Sequence, residues 1–232
     1  MNQITFQNVH DSSTTPDFNI GQRAQTPDGR EWVYVKAAEA ISTNQAVVPN
    51  AVVAVDTVSS SADALGRVVF ITKASAGWTV GQFAEGWVYV DAGTGVGQAG
   101  RIKTNTTDTL ELYPEFALST ALAVADSDIT IRELFHVDKA AVTSAIQGCV
   151  GIAQIAIASA SYAWVLTRGQ GLVLAGESLI VGSNFTTGDN TEGSVIKGVT
   201  AKGAFDGQSL GYCLVANASA DTAAFVWVEL DS

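Results

Sequence analysis

Acid–base and nucleophilic chemistry need a base beside a nucleophile, and the chain offers two histidines, His10 and His136, and two cysteines, Cys149 and Cys213. His10 stands in a polar stretch and His136 within Glu133-Leu134-Phe135-His136-Val137, neither beside a recognisable nucleophile motif. Cys149 and Cys213 sit in apolar runs and read as small buried hydrophobes in a reducing compartment. Whether they lie near each other is open at this level. Two histidines and two cysteines also fall short of any zinc spacing.

Gly95-Val96-Gly97-Gln98-Ala99-Gly100 has the spacing of a dinucleotide fingerprint, whose glycines must open a helix that holds the pyrophosphate. The next residues, Arg101-Ile102-Lys103-Thr104-Asn105-Thr106-Thr107, are β-branched and turn-like, so no cofactor is expected. Asp126-Ser127-Asp128 and Gly188-Asp189-Asn190-Thr191-Glu192-Gly193 could supply calcium oxygens, but neither follows the calcium-loop pattern and both read as solvated turns. Paired carboxylates for glycoside hydrolysis depend on a spatial separation that sequence does not give. The expectation is a protein that is not an enzyme.

Composition bounds the partners. Net charge is −11 with no Lys or Arg cluster, which removes the electrostatic footprint of a nucleic-acid or anionic-membrane binder. Charged residues make up 15% of the chain, against about 25% in ordinary domains, which suggests that part of the surface is buried against other chains. The N-terminus has neither a basic n-region nor an apolar h-region, and no run approaches the ~20 apolar residues of a membrane span. Sequons at Asn105, Asn184 and Asn217 are read as turn content.

Residues 1–30 are polar and aperiodic, with Ile4, Phe6, Val9, Phe18 and Ile20 as isolated apolar anchors, and predict an extended arm whose removal leaves the fold intact. From Glu31 the texture becomes strand-like. Four of the five tryptophans open a Trp-Val step, at Trp32, Trp87, Trp164 and Trp227. The last three each come after a shorter apolar run (66–71, 151–157 and 211–215), which predicts a repeated hairpin with the indole in the core. Glycine-spaced segments come directly after two of these strands, at 93–100 and 169–176. One short helix is expected over Asp138–Gln147, with Asp138 as N-cap and Gly148 beyond its end, and 116–125 reads as a second short helix or a linker. The fold class is all-β: repeated hairpins forming one or two barrel or sandwich units over 31–115 and 116–232, behind an arm at 1–30.

The polar arm, the glycine-led strands and the repeated Trp-Val step together resemble head decoration proteins of tailed bacteriophages, also called cement or capsid-stabilising proteins. Most of the likeness lies in Gly148-Cys149-Val150-Gly151-Ile152-Ala153-Gln154 through Tyr162-Ala163-Trp164-Val165-Leu166-Thr167-Arg168-Gly169, with 211–228 as a weaker echo, about a third of the chain in all. The resemblance implies a β-rich subunit, often trimeric, on the outer surface of the capsid. Its partners would be the major capsid protein and copies of itself, with no nucleic acid, membrane, metal or cofactor. Contacts would then come from the arm, through Ile4, Phe6, Phe18 and Arg23. The major capsid protein itself is disfavoured because no long amphipathic helix is visible. A tail- or fibre-associated carbohydrate-binding adhesin is the alternative from another class.

Overall fold

The computed structural model describes residues 8–230 apart from 51, 56–57, 59, 65–66, 125, 142–147, 189–190, 199–207 and 218. Ile4 and Phe6 therefore lie outside the described residues. In chain order the strands are β1 (Ser12–Ser13), β2 (Arg23–Gln25), β3 (Glu31–Ala37), β4 (Ala46–Pro49), β5 (Val52–Val55), β6 (Ser60–Ala64), β7 (Arg67–Thr72), β8 (Trp87–Ala92), β9 (Ala99–Asn105), β10 (Thr109–Leu112), β11 (Asp128–Arg132), β12 (His136–Lys139), β13 (Gly151–Ala153), β14 (Tyr162–Ala175), β15 (Asn184–Thr187), β16 (Val195–Lys197), β17 (Gly211–Val215) and β18 (Thr222–Glu229). The only helical turn among the described residues is a 3₁₀ turn at Pro114–Phe116. The all-β expectation holds.

The chain divides into two compact units, one formed by 1–49 and 137–232 and the other by 50–136. The second unit is inserted between β4 and β12, which are antiparallel neighbours with Pro49 opposite Val137. The expected boundary near 115 thus falls inside the inserted unit. An insertion that leaves and returns through adjacent strands produces no shift in composition, so the sequence carries no mark of it.

In the first unit the sheet order is β16-β15-β17-β18-β14-β13-β4-β12-β3-β2, with further pairings β14–β3 and β14–β16. Those extra pairings close two rings, β14-β13-β4-β12-β3 and β14-β18-β17-β15-β16, which share β14. The 14 residues of β14 divide the work. Tyr162 to Arg168 pair with β3, while Arg168 to Ala175 pair with β18. The segment expected after the strand as a separate glycine-spaced stretch is its second half.

Two of the three expected hairpins form, β13–β14 with Ile152 opposite Leu166 and β17–β18 with Tyr212 opposite Trp227. The third does not. β7 pairs with β6 and β10, and the intervening chain carries Trp78 and Phe83 into the core of the inserted unit. The helix expected to begin at Asp138 is replaced, in its described part, by β12, where Asp138 and Lys139 pair with Val48 and Val47. The rest of that prediction, 142–147, lies outside the described residues.

Residues 8–25 are not a free arm. β1 pairs with β14 and β2 with β3. Phe18 sets its ring 5.4 Å from Tyr34 and 5.3 Å from Trp164, His10 meets the edge of Trp32 at 5.9 Å, and Asp17 N–H donates to the Tyr34 hydroxyl at 3.2 Å. Opposed residues share a face, so Trp32, Tyr34, Trp164 and Leu166 form one layer, and this segment covers it. Val33, Val35, Ala163 and Val165 on the opposite face are buried too. Deleting 1–30 would strip two strands and this cover.

The Trp-Val steps consequently split. Trp32 and Trp164 are fully buried, as expected, whereas Trp87 and Trp227 are half-exposed and their valine neighbours, Val88, Val226 and Val228, take the core. Both faces of β3 are covered, so it can bury Trp and Val alike. β18 has one core face and must choose. Replacing Trp164 by Ala should cost roughly 3–5 kcal/mol of unfolding free energy. Trp227→Ala should cost less than about 2 kcal/mol. Urea denaturation of both variants checks this, and equal losses would place Trp227 in the core.

Candidate functional site

His136 ends the inserted unit, its Nδ1 3.0 Å from Glu133 Oε2. Glu133 is completely buried, and its other oxygen accepts a hydrogen bond from the Gln82 amide. A buried carboxylate must be paired, and here an imidazole and an amide share the task. No described Ser, Thr or Cys side chain is hydrogen-bonded to His136. His136 is a partly buried strand residue at the start of β12.

Gly-x-Ser-x-Gly spacing is present, at Gly207-Gln208-Ser209-Leu210-Gly211, where no nucleophile motif was expected. Its setting is wrong for a nucleophile elbow, which must turn from a strand into a helix. Ser209 leads directly into β17, and the Gln208 side-chain oxygen is occupied by Cys149 N–H at 2.7 Å. Gly211, at φ +138, approaches the opposite strand so closely that a Cβ would stand 1.9 Å from Trp227 O. This glycine serves strand contact.

Both cysteines are free thiols in the first unit. Burial pushes the Cys149 thiol up to about 12 and raises that of Cys213, and each Sγ–H is directed at a carbonyl, Gly151 O and Val215 O, at 3.3 Å. Thiolate chemistry is suppressed at both.

The Gly93–Gln98 loop joins β8 to β9 as a hairpin turn, with Gly93, Gly95 and Gly97 at positive φ, and it leads into a strand rather than a helix. It is braced against the 117–127 segment. Asp126 accepts from Thr94 N–H at 2.9 Å and from the Thr94 hydroxyl, the Ser127 hydroxyl donates to Thr94 O at 2.7 Å, and the Gln98 carbonyl oxygen accepts from Ser119 and Thr120. Of the 126–128 stretch, weighed for calcium and read as a turn, Asp126 and Ser127 form a polar brace and Asp128 opens β11. The large apolar residues that this loop end turns outward are Val96, 61% exposed, and Val124, 60% exposed. Among the described residues no group of three His, Cys, Asp or Glu side chains could hold a metal, and no helix is long and apolar enough to cross a membrane.

No protein-family model and no curated protein matches the chain. Among solved structures it is similar to the head fiber gp8.5 N base in bacteriophage phi29, with 10% identity, a TM-score of 0.32, and coverage of 87% of this chain and 95% of that one. A TM-score that low does not bear on fold or role.

Of the arm residues, Phe18 is built into the chain's own core, while Arg23 is exposed on β2, an edge strand of the sheet. Asn105 and Asn217, read as turn content, are buried brackets. Asn105 accepts from Phe83 N–H at 2.8 Å and donates to Thr79 O, while Asn217 accepts from Leu179 N–H at 2.7 Å and donates to Glu177 O. Short polar side chains that satisfy distant backbone groups leave no sequence signature.

Among the described carboxylates, Asp138 is displaced upward. Burial, and then a hydrogen bond with Glu39, raise it to about 6, while Lys139 bridges to Glu39 at 3.2 Å and Glu192 at 2.9 Å. A carboxyl whose folded pKa exceeds its unfolded value stabilises the fold at low pH and loses that contribution as pH rises through 6. Asp138→Asn should therefore raise the melting temperature relative to wild type at pH 7 and leave it nearly unchanged at pH 4. A constant offset across that range, read by scanning calorimetry, would exclude Asp138 as the titrating group.

Proposed function

We propose that this chain is a structural virion protein, a capsid decoration or cement protein that binds the outer surface of a phage head and stabilises it through contacts with the major capsid protein and with copies of itself, as a homotrimer. One observation carries the reading: the apolar side chains of Val96 and Val124 are held outward on a loop end braced by side-chain hydrogen bonds. Buried Glu133 holds His136 and both thiols are buried, which supports a reading of the surface as one that works by contact. The braced loops that carry Val96 and Val124 lose little conformational entropy on docking, a condition for useful affinity from a small patch. Sparse charge lowers the desolvation cost of such contacts.

The shell contact is assigned to this loop end of the inserted unit, together with Ile4 and Phe6 on the sequence argument and Arg23 at the edge of the first unit. Phe18 keeps only an indirect part, as cover for Trp164.

Quantitative mass spectrometry of purified virions should find the chain at a ratio near one to the major capsid protein, or at a simple fraction of it, because lattice symmetry ties copy number to location. A handful of copies per particle would move the protein to a tail or fibre, and absence would overturn the virion role. The double variant Val96→Asp, Val124→Asp should keep the wild-type melting temperature and bind undecorated heads at least about tenfold more weakly, a loss of roughly 1.4 kcal/mol or more. Undiminished binding would remove the loop end from the contact.

A further inference from the structure

β14, β17 and β18 present an outer face in register. Gln170 stands opposite Trp227, which stands opposite Tyr212, and in the next row Leu172 stands opposite Phe225. Leu172 is 41% exposed, Tyr212 38% and Phe225 36%. The Tyr212 and Trp227 rings lie 6.4 Å apart and within 17° of parallel. Beside this face the Thr26–Arg30 turn raises a wall, leaving an open groove of about 530 Å³ lined by Asp28, Arg30, Gln170, Leu172, Phe225 and Trp227. Small-ligand sites fall in this size range.

The polar lining is set in place by two glycines. At Gly169 a Cβ would stand 2.7 Å from Arg30 Cγ, and at Gly171 one would stand 3.1 Å from the Gln154 side-chain oxygen, so glycine at both positions lets these side chains lie on the strand. Gln154 spans the backbone of Leu172, donating to its carbonyl at 2.9 Å and accepting its N–H at 3.0 Å. Arg30 is held twice, by an Nε–Asp28 ion pair at 2.6 Å and by stacking over Trp32 at 5.1 Å. Thr26, and then Arg30, hold the Asp28 carboxyl below the usual carboxylate range, so it stays an acceptor in mild acid. The Arg30 Nη groups and the Gln170 amide make no side-chain hydrogen bond to a described residue.

We propose that this groove binds a neutral polysaccharide built of hexopyranose units. The polarised C–H face of a pyranose lies flat on an electron-rich ring such as Trp227, and the hydroxyls at its rim need both donors and acceptors, which Gln170, Arg30 and Asp28 provide. Charge selects the class: the groove's own charges cancel in the Asp28–Arg30 pair, and a chain of net charge −11 repels polyanions. An apolar peptide would leave those polar groups unpaired.

Tryptophan fluorescence of the full chain titrated with maltohexaose, cellohexaose, laminarihexaose and, as an anionic control, a hyaluronan hexamer tests this. At least one neutral hexaose should give a saturable change and the anionic hexamer none. Trp227→Ala and Gln170→Ala should each weaken binding about tenfold or more, read by calorimetry where the indole is gone, while Trp87→Ala in the other unit should bind as wild type. Gln170 is exposed, so its variant reports on the groove even if Trp227→Ala fails to fold. The proposal falls if no neutral hexaose binds, if binding survives both groove substitutions, or if the anionic hexamer binds better. It falls equally if sedimentation shows a self-association that Gln170→Ala abolishes, which would make the face an interface between copies.

Discussion

A β-strand has two hydrogen-bonding edges, and the first unit depends on how one long strand divides them among its neighbours. The early half of β14 gives its edges to β3 and β13, and the late half gives them to β18 and β16. The change of partner is localised. The ladder with β3 shifts register between Leu166 and Arg168, Thr167 O accepts Leu230 N–H, and Gly169 sits at φ +109, where a side chain would collide with Arg30. A bulge and a glycine at such a point let the strand turn its second half toward new partners, and Leu230 N–H takes up the Thr167 carbonyl there. Both rings close on themselves and so hide most strand edges, leaving short β2 as an exposed one.

The treatment of the tryptophans is a consequence of that division. Where β14 meets β3 both faces of the sheet are buried, the valines on one side and, beneath the folded-back 8–25 segment, the indoles on the other, so indoles can be buried outright. Where β14 meets β18 only one face is covered. Val226 and Val228 take it, and Phe225 and Trp227 are left outward beside Leu172. The same dipeptide thus stabilises a core in one half of the strand and furnishes a surface in the other.

Polar side chains do structural work out of proportion to their number. Gln45 closes its own turn at Ser42 and donates to Glu192 O, 147 residues away in the chain; Asp108 anchors Ala76; Asn105 and Asn217 bracket loops. Each replaces a backbone hydrogen bond that an irregular connection could not make. Loops held in this way act as rigid surfaces, which suits a protein proposed to work by contact.

Strand-rich composition, β-branched runs, small-residue turns and the want of a helix-forming period were enough to give the all-β class, the β13–β14 and β17–β18 hairpins and the failure of the Gly95–Gly100 fingerprint, because these depend on local backbone preference. Pairing between distant segments was not legible. Which neighbour β7 chooses, that residues 50–136 are an insertion, that Asp138 continues a strand, and that residues 8–25 fold back on their own sheet are decided by burial against partners far away in sequence. The groove beside Trp227 belongs to the same class. A Trp-Val step reads alike at every occurrence, and since side chains alternate with period two, only the neighbours that cover one face decide whether the ring or the valine points inward.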